Sequence, residues 1–271
     1  MRAHSRIGDY DVREVANAAG LARYEATHVV LPRKAIVEVA DASARAAGVR
    51  LLRQACLLEA MDHRGVPRVF ECGMVDGAPW VAFEALHGVT LAEELQQHQL
   101  AADDVLDMLA GVSTILAHAH ARGVLHRDIT PNAIARDRDR GMWVLGGWDS
   151  ACTLDTELAP PPHGGRRYQA PELVDVRSPD PRSDVFALAM VAHEALTGEV
   201  ASLPADPAEL PPPLGMLLAI MLAPNPAARP HAVEVSAQIR NHGGTRRAFA
   251  RGTSQLPFER IDIPDAQASA R

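Results

Sequence analysis

The sequence predicts an α+β domain of two lobes, a small strand-rich lobe followed by a larger helical one. Three observations carry this. Residues 10–85 break into short apolar runs and alternations, the mark of strands with a buried face. From Leu91 onward the apolar residues recur at helical spacing. Between the first long helix of that second part and the hairpin after it stands a polar triplet, His126-Arg127-Asp128, in apolar surroundings.

Taken in order, Val29-Val30-Leu31 and Ala35-Ile36-Val37-Glu38-Val39 read as a hairpin turning at Pro32-Arg33. Val49–Met61 carries Leu51, Leu52, Ala55, Leu58 and Met61 at helical spacing. Val66–Cys72 and Trp80–Leu86 read as two more strands, joined at Asp76-Gly77. Asp103-Asp104 open a helix whose Val105, Leu106, Leu109, Val112 and Leu116 share a face, and acidic residues suit its positive N-terminus. That helix ends near Gly123. A hairpin over Ala133–Leu145 turns at Arg138–Gly141, and residues 146–172 read as a loop. Buried helices follow at Ser183–Leu196, stopping at Gly198, at Leu214–Leu222 and at Ala232–Arg240. The lobes are placed at 10–85 and 86–241. Residues 242–271, polar and without period, are expected to form a poorly ordered tail.

Composition excludes several classes. The chain is 47% hydrophobic and 23% charged, a globular balance, and its net charge of -7 offers no basic stripe for nucleic acid. Cys56, Cys72 and Cys152 have no CxxC spacing, and so sparse a set fits a reducing compartment. The N-terminus has no apolar signal core, and no apolar run is long enough to cross a membrane. A cytoplasmic location is the expectation.

The stretch His126-Arg127-Asp128-Ile129-Thr130-Pro131-Asn132-Ala133 resembles the catalytic loop of a protein kinase, in which an Asp accepts the substrate hydroxyl proton and an Asn five residues on holds a metal ion. Tyr168-Gln169-Ala170-Pro171-Glu172 resembles the end of a kinase activation segment. Arg182-Ser183-Asp184-Val185-Phe186-Ala187-Leu188 resembles the start of its large buried helix. Asn225-Pro226-Ala227-Ala228-Arg229-Pro230 matches a further family segment, and Asp62-His63 another. From about residue 10 to 241 the chain is identified as similar to bacterial Ser/Thr protein kinases of the eukaryotic type. The resemblance implies the bilobal kinase fold. It also implies that Arg229 pairs with Glu172, and that Asp184 braces the loop carrying His126 and Arg127.

Against that family the chemistry-bearing positions depart together. The glycines of the phosphate loop fall on Ala16, Ala18 and Leu21, where a Cβ obstructs close approach, and Gly20 reads as a turn residue. The phosphate-clamping lysine falls on Glu38 and its glutamate partner on Gln54. A carboxylate facing a phosphate oxygen at about 4 Å costs roughly 4 kcal/mol at an effective dielectric of about 20. The metal-holding Asn falls on Ala133 and the metal-holding Asp on Gly146; a shifted register would use Asn132 and Asp149 instead. Ile36, Arg23 and the bulky Phe83 fall around the base pocket, which is therefore expected to be filled. In the activation segment Gly165 replaces a Thr, and Thr153 or Thr156 is a candidate phosphoacceptor for Arg127.

These departures lead to three expectations. The first is a pseudokinase: a protein-binding scaffold or allosteric regulator in signalling, with Asp128 vestigial, no metal, and neither ATP nor magnesium bound. Its partner would be an active kinase or another signalling protein. The second is an unorthodox Ser/Thr phosphotransferase using Asp128. The third is a ligand-sensing module built on the former nucleotide cleft.

Overall fold

Alternation in the first part of the chain builds a six-stranded antiparallel sheet in the order β1-β2-β3-β4-β6-β5, formed by Arg6–Ile7, Tyr10–Ala18, Leu21–His28, Lys34–Ala40, Ala78–Glu84 and Val69–Val75 respectively. The structure is a computed structural model and describes residues 5–154, 167–173, 180–202, 210–211 and 214–241. Successive strand residues point to opposite faces. Tyr10, Ala22, Tyr24, Ala26, Val37, Val39, Trp80 and Ala82 pack on one face as a separate apolar cluster. The other face presents Ala40, Val81 and Phe83 to the main core, and there helix α1 (Arg45–Met61) packs through Ala47, Leu51, Ala55, Leu58 and Met61. Because α1 is inserted between β4 and β5, β6 pairs beside β4 and β5 is left at the edge.

The second lobe is helical. Short β7 (Gly88–Thr90) leads into α2 (Leu91–Leu95), whose start is closed by a reciprocal Thr90–Glu93 capping box. Helix α3 (Ala102–His120) has Asp103 and Asp104 in its first turn and His118 and His120 in its last, as the helix dipole favours. It packs against α4 (Arg182–Thr197) and α6 (Ala232–Asn241), with α5 (Leu214–Met221) beside α4. Along α4 the residues from Ser183 to Ala192 are nearly all buried, and the helix stops at Gly198, whose φ of 81° is the left-handed cap that glycine takes without strain. Two short strands, β8 (Val124–Leu125) and β11 (Cys152–Thr153), pair across the loop, and β9 (Ile134–Asp137) with β10 (Met142–Leu145) forms the hairpin.

Some expectations need correction. Val29–Leu31 is not a strand: β3 ends at His28, and the following residues form an exposed connection with Val30 81% accessible. The amides of Val30 and Leu31 donate to His28 Nδ1 at 3.1 Å, so a local side-chain acceptor wins over strand pairing. The strands expected at Val66–Cys72 and Trp80–Leu86 lie at Val69–Val75 and Ala78–Glu84, because the two-residue turn at Asp76-Gly77, with φ of 50° and 77°, sets their register. Thr156, Gly165 and the 242–271 tail lie outside the described residues. Among the described residues no helix is long and apolar enough to cross a membrane.

Arg140, in the β9–β10 turn, is one of the contacts between the lobes. Its guanidinium pairs with Glu84 at the end of β6 and donates to the Arg64 carbonyl at 2.9 Å. Asp137 lies 3.9 Å from it and accepts the amides of Asp139 and Arg140 through its other oxygen, holding the turn in shape.

Candidate functional site

The catalytic-loop segment is built on a buried carboxylate. Asp184, 1% exposed on α4, accepts from the His126 amide at 2.9 Å and the Arg127 amide at 2.8 Å, and contacts His120 Nε2 at 2.9 Å. Burial pushes its carboxyl upward. The His120 hydrogen bond and charge, with the contributions of His126, outweigh this and hold it below the usual carboxylate range. Arg127 adopts a φ of 70°, a left-handed conformation that costs a non-glycine residue about 1–3 kcal/mol. The surroundings over-determine that turn, because both adjacent amides address one carboxylate.

His126 connects this base to the segment after β10. Its Nδ1 accepts from the Asp128 amide at 3.3 Å, which leaves Nε2 to donate to the Gly146 carbonyl at 2.7 Å. Trp148, fully buried, meets the His126 ring edge-on at 4.5 Å, and its indole N–H donates to the Leu145 carbonyl. Gly147 turns with a φ of 69°, and a Cβ there would stand 3.2 Å from that of Ala133. The Gly146 amide donates to the Ala133 carbonyl at 2.7 Å, while the Ala133 amide donates to Thr130. Ala133 and Gly146 thus meet through backbone alone, with no side-chain oxygen at either. Asp149 follows in a 3-10 turn, Trp148–Ser150.

Asp128 and Asn132 face elsewhere. They line a cavity of about 510 Å³ together with Thr130, Gln99, Tyr168 and Glu194. The Tyr168 hydroxyl donates to Glu194 Oε2 at 2.6 Å, and burial followed by this bond pushes the phenol well above its ordinary value. Farther down, Arg229 forks onto both oxygens of Glu172 at 2.6 and 2.9 Å, stacks on Phe186 at 4.7 Å and donates to the Ala223 and Pro224 carbonyls. Burial raises the Glu172 carboxyl, but the Arg229 and Ser183 hydrogen bonds bring it below its ordinary value.

On the sheet side, Ala16 and Ala18 end β2 and Leu21 begins β3. The tip between them, Ala19-Gly20, takes φ of 52° and 78° and leans on the start of α1: the Gly20 carbonyl accepts from Asp41, and the Ala19 carbonyl from Arg50. Glu38 is paired across the strands with Arg23, their side chains 3.7 Å apart. Gln54 is buried on α1 at 8% exposure. Phe83 is packed into the main core. Of the three residues expected to fill the base pocket, Phe83 is in the main core, Arg23 pairs with Glu38, and Ile36 borders open space. A cavity of about 700 Å³, within the ordinary range for ligand sites, opens among Arg13, Glu25, Lys34, Ile36, Ala85 and Leu86. Ile36 lines this cavity rather than closing it. Sequence reading did not anticipate the Arg23–Glu38, Arg140–Glu84 and Tyr168–Glu194 pairs. Only the first carried a signal, since strand period puts Arg23 and Glu38 on one face.

The comparisons with known proteins agree with this geometry. The family model described as the protein kinase domain matches residues 22–210, well over half of the chain. Serine/threonine-protein kinase PknH of Mycobacterium tuberculosis is 28% identical over 204 residues, 73% of this chain and 33% of the relative. Serine/threonine-protein kinase PknE of the same species is 27% identical over 204 residues, 73% of this chain and 36% of the relative. Serine/threonine-protein kinase PrkC of Bacillus subtilis is 23% identical over 265 residues, 95% of this chain and 39% of the relative. The chain spans about a third of the length of these relatives. These matches overturn the expectation that the cleft takes neither ATP nor magnesium, since Ser/Thr kinases draw on both. The cavity beside Ile36 leaves open space at one of the expected filling positions, and a cationic Arg23 beside Glu38 weakens the electrostatic reason. With a curled antiparallel sheet over a helical lobe, a catalytic-loop triplet on a buried aspartate and this family match, the chain belongs to the protein kinase domain family.

Proposed function

We propose that the chain is a bacterial signalling domain of the Ser/Thr kinase family, with lobes over 10–85 and 86–241, working in the cytoplasm. It engages a protein partner and transfers phosphate far more slowly than a complete kinase. One observation carries the reading: Ala133 and Gly146 face each other through a backbone hydrogen bond, with no side-chain oxygen where the family resemblance puts metal ligands. The partner is an active kinase or another signalling protein, and the effect on it is allosteric.

The cavity walls offer a nucleotide apolar Ile36 and Leu86 and cationic Lys34, beside Asp11 and the paired Arg13 and Glu25. In the shifted register Asn132 and Asp149 would offer the oxygens that a magnesium ion takes. Bound ATP supplies the phosphoryl group. In this reading Asp128 receives the hydroxyl proton, a contribution of about 10²–10⁴-fold.

A second reading has a specific observation behind it. Asp128 and Asn132 share the wall of the 510 Å³ cavity, which would admit a hydroxyl-bearing peptide to an active phosphotransferase. Transfer of labelled phosphate from ATP with magnesium, to the chain itself and to a generic acceptor protein, separates the two. The scaffold reading expects transfer at least 10²-fold below a complete family member assayed alongside. Transfer at the full rate, abolished by Asp128→Asn, overturns it.

A further inference from the structure

The cleft face of the sheet carries its cation one strand away from where the family resemblance looks for it. On β3, Ala22, Tyr24 and Ala26 are buried in the cluster on the far face, so Arg23 and Glu25 project to the cleft side. Cross-strand pairing then sorts that face into two rows. One holds Arg13, Glu25 and Ile36, all on the wall of the 700 Å³ cavity. The next holds Ala16, Arg23 and Glu38, so it contains both the first phosphate-loop position and the clamping position. Two residues along a strand separate the rows, roughly 7 Å. That is the reach from a nucleoside seated in the cavity to its phosphates.

We propose that Arg23 is the phosphate-binding cation of this cleft, supplied from β3 in place of the lysine that β4 lacks, with Glu38 as its resting counter-ion. The inference rests on the reading that the cavity takes a nucleotide. Arg23 is suited to the exchange. Its side chain is 55% exposed while that of Glu38 is 13% exposed, so the guanidinium reaches out from the sheet whereas the carboxylate is held in. Its Nε lies 3.7 Å from Glu38 Oε1, an ion-pair contact longer than a hydrogen bond. A guanidinium fork matches a phosphate's oxygens two at a time, which compensates for a charge placed on the neighbouring strand. Glu38 competes with the nucleotide for this fork, so a carboxylate that opposes phosphate directly also sets how readily Arg23 is released.

The test is isothermal titration of the full chain with ATP and, separately, with adenosine, with magnesium present throughout. In the Arg23→Gln variant, ATP is expected to bind at least 10-fold more weakly while adenosine binds as in the wild type. Arg23→Lys recovers part of the loss. Glu38→Gln strengthens ATP binding several-fold, and Arg23→Gln still weakens ATP when added to it. Equal ATP affinity in wild type and Arg23→Gln overturns the proposal, as does an equal loss of ATP and adenosine. A phosphate-specific loss in Arg13→Gln but not in Arg23→Gln also overturns it, by assigning the role to the cavity wall. If the wild type binds neither ATP nor adenosine, the nucleotide reading itself fails and the proposal falls with it.

Discussion

The foundation of the catalytic loop and the cleft face of the sheet hold their charges in opposite ways. Under the loop, Asp184 is 1% exposed and receives two backbone amides and a histidine, and the Arg229 side chain is fully buried against Glu172 and three carbonyls. On the sheet, Arg13 and Arg23 are 74% and 55% exposed, each with a single carboxylate across the strand. A buried charge with all its partners in place cannot be replaced without stranding them, which costs several kcal/mol. An exposed pair such as Arg13–Glu25 is worth about 0–1 kcal/mol, so its signs and positions can change while the fold stays. The lesson is that family architecture and family chemistry are separable here. The first is held by burial, and the second sits on a surface free to be rewritten.

Substitutions that probe each region sharpen the contrast. The largest effect is expected from Asp184→Ala, which strands the His126 and Arg127 amides in the core and should cost about 3–5 kcal/mol. Thermal denaturation should show the midpoint falling by roughly 10 °C; an unchanged midpoint would mean that the loop does not depend on this carboxylate. Arg140→Ala comes next, at about 1.5–3 kcal/mol, because the Glu84 and Arg64 contacts joining the lobes are lost together. Urea unfolding followed by tryptophan fluorescence measures it, and an effect below about 0.5 kcal/mol would show the brace to be incidental.

A smaller effect should appear in acid. The Glu172 carboxyl lies below its ordinary value of 4.5 in the folded protein, where Arg229 and Ser183 outweigh the effect of burial. Its contribution is therefore present above pH about 4.5 and is lost as pH falls through the lower folded value. Stability measured from pH 5 downward should decline less steeply in Glu172→Gln than in the wild type. Parallel slopes would mean that this carboxyl takes no part in the acid transition. The smallest change in stability is expected for Arg13→Ala, whose partner Glu25 is also exposed, within about 0.5 kcal/mol by the same urea titration. A loss comparable to that of Arg140→Ala would break the comparison, because the sheet pair would then be structural.

Much of the fold was legible because local chemistry and global packing agree. The hairpin turning at Arg138–Gly141, the Asp76-Gly77 turn and the stop of α4 at Gly198 stand where the turn residues put them. Val29–Leu31 was misread because a short apolar run looks the same in a strand and in an exposed connection, and the His28 ring that decides between them lies outside the run. At the site, the positions of Ala133 and Gly146 followed from motif spacing. The open cavity did not, because whether Ile36 and Phe83 fill a pocket or border one depends on how neighbouring strands and the β6 terminus arrange around them.

The sequence by itself determined the succession of a strand-rich lobe and a helical lobe, the loop triplet and the residue types at the phosphate and metal positions. These depend on periodicity and spacing, which lie along the chain. Only the tertiary structure decided that Glu38 is partnered by Arg23, that Arg140 ties one lobe to the other, and that space remains beside Ile36 and Leu86. Side-chain pairing and enclosed volume are properties of surfaces brought together from distant segments, and no local pattern in the chain records them.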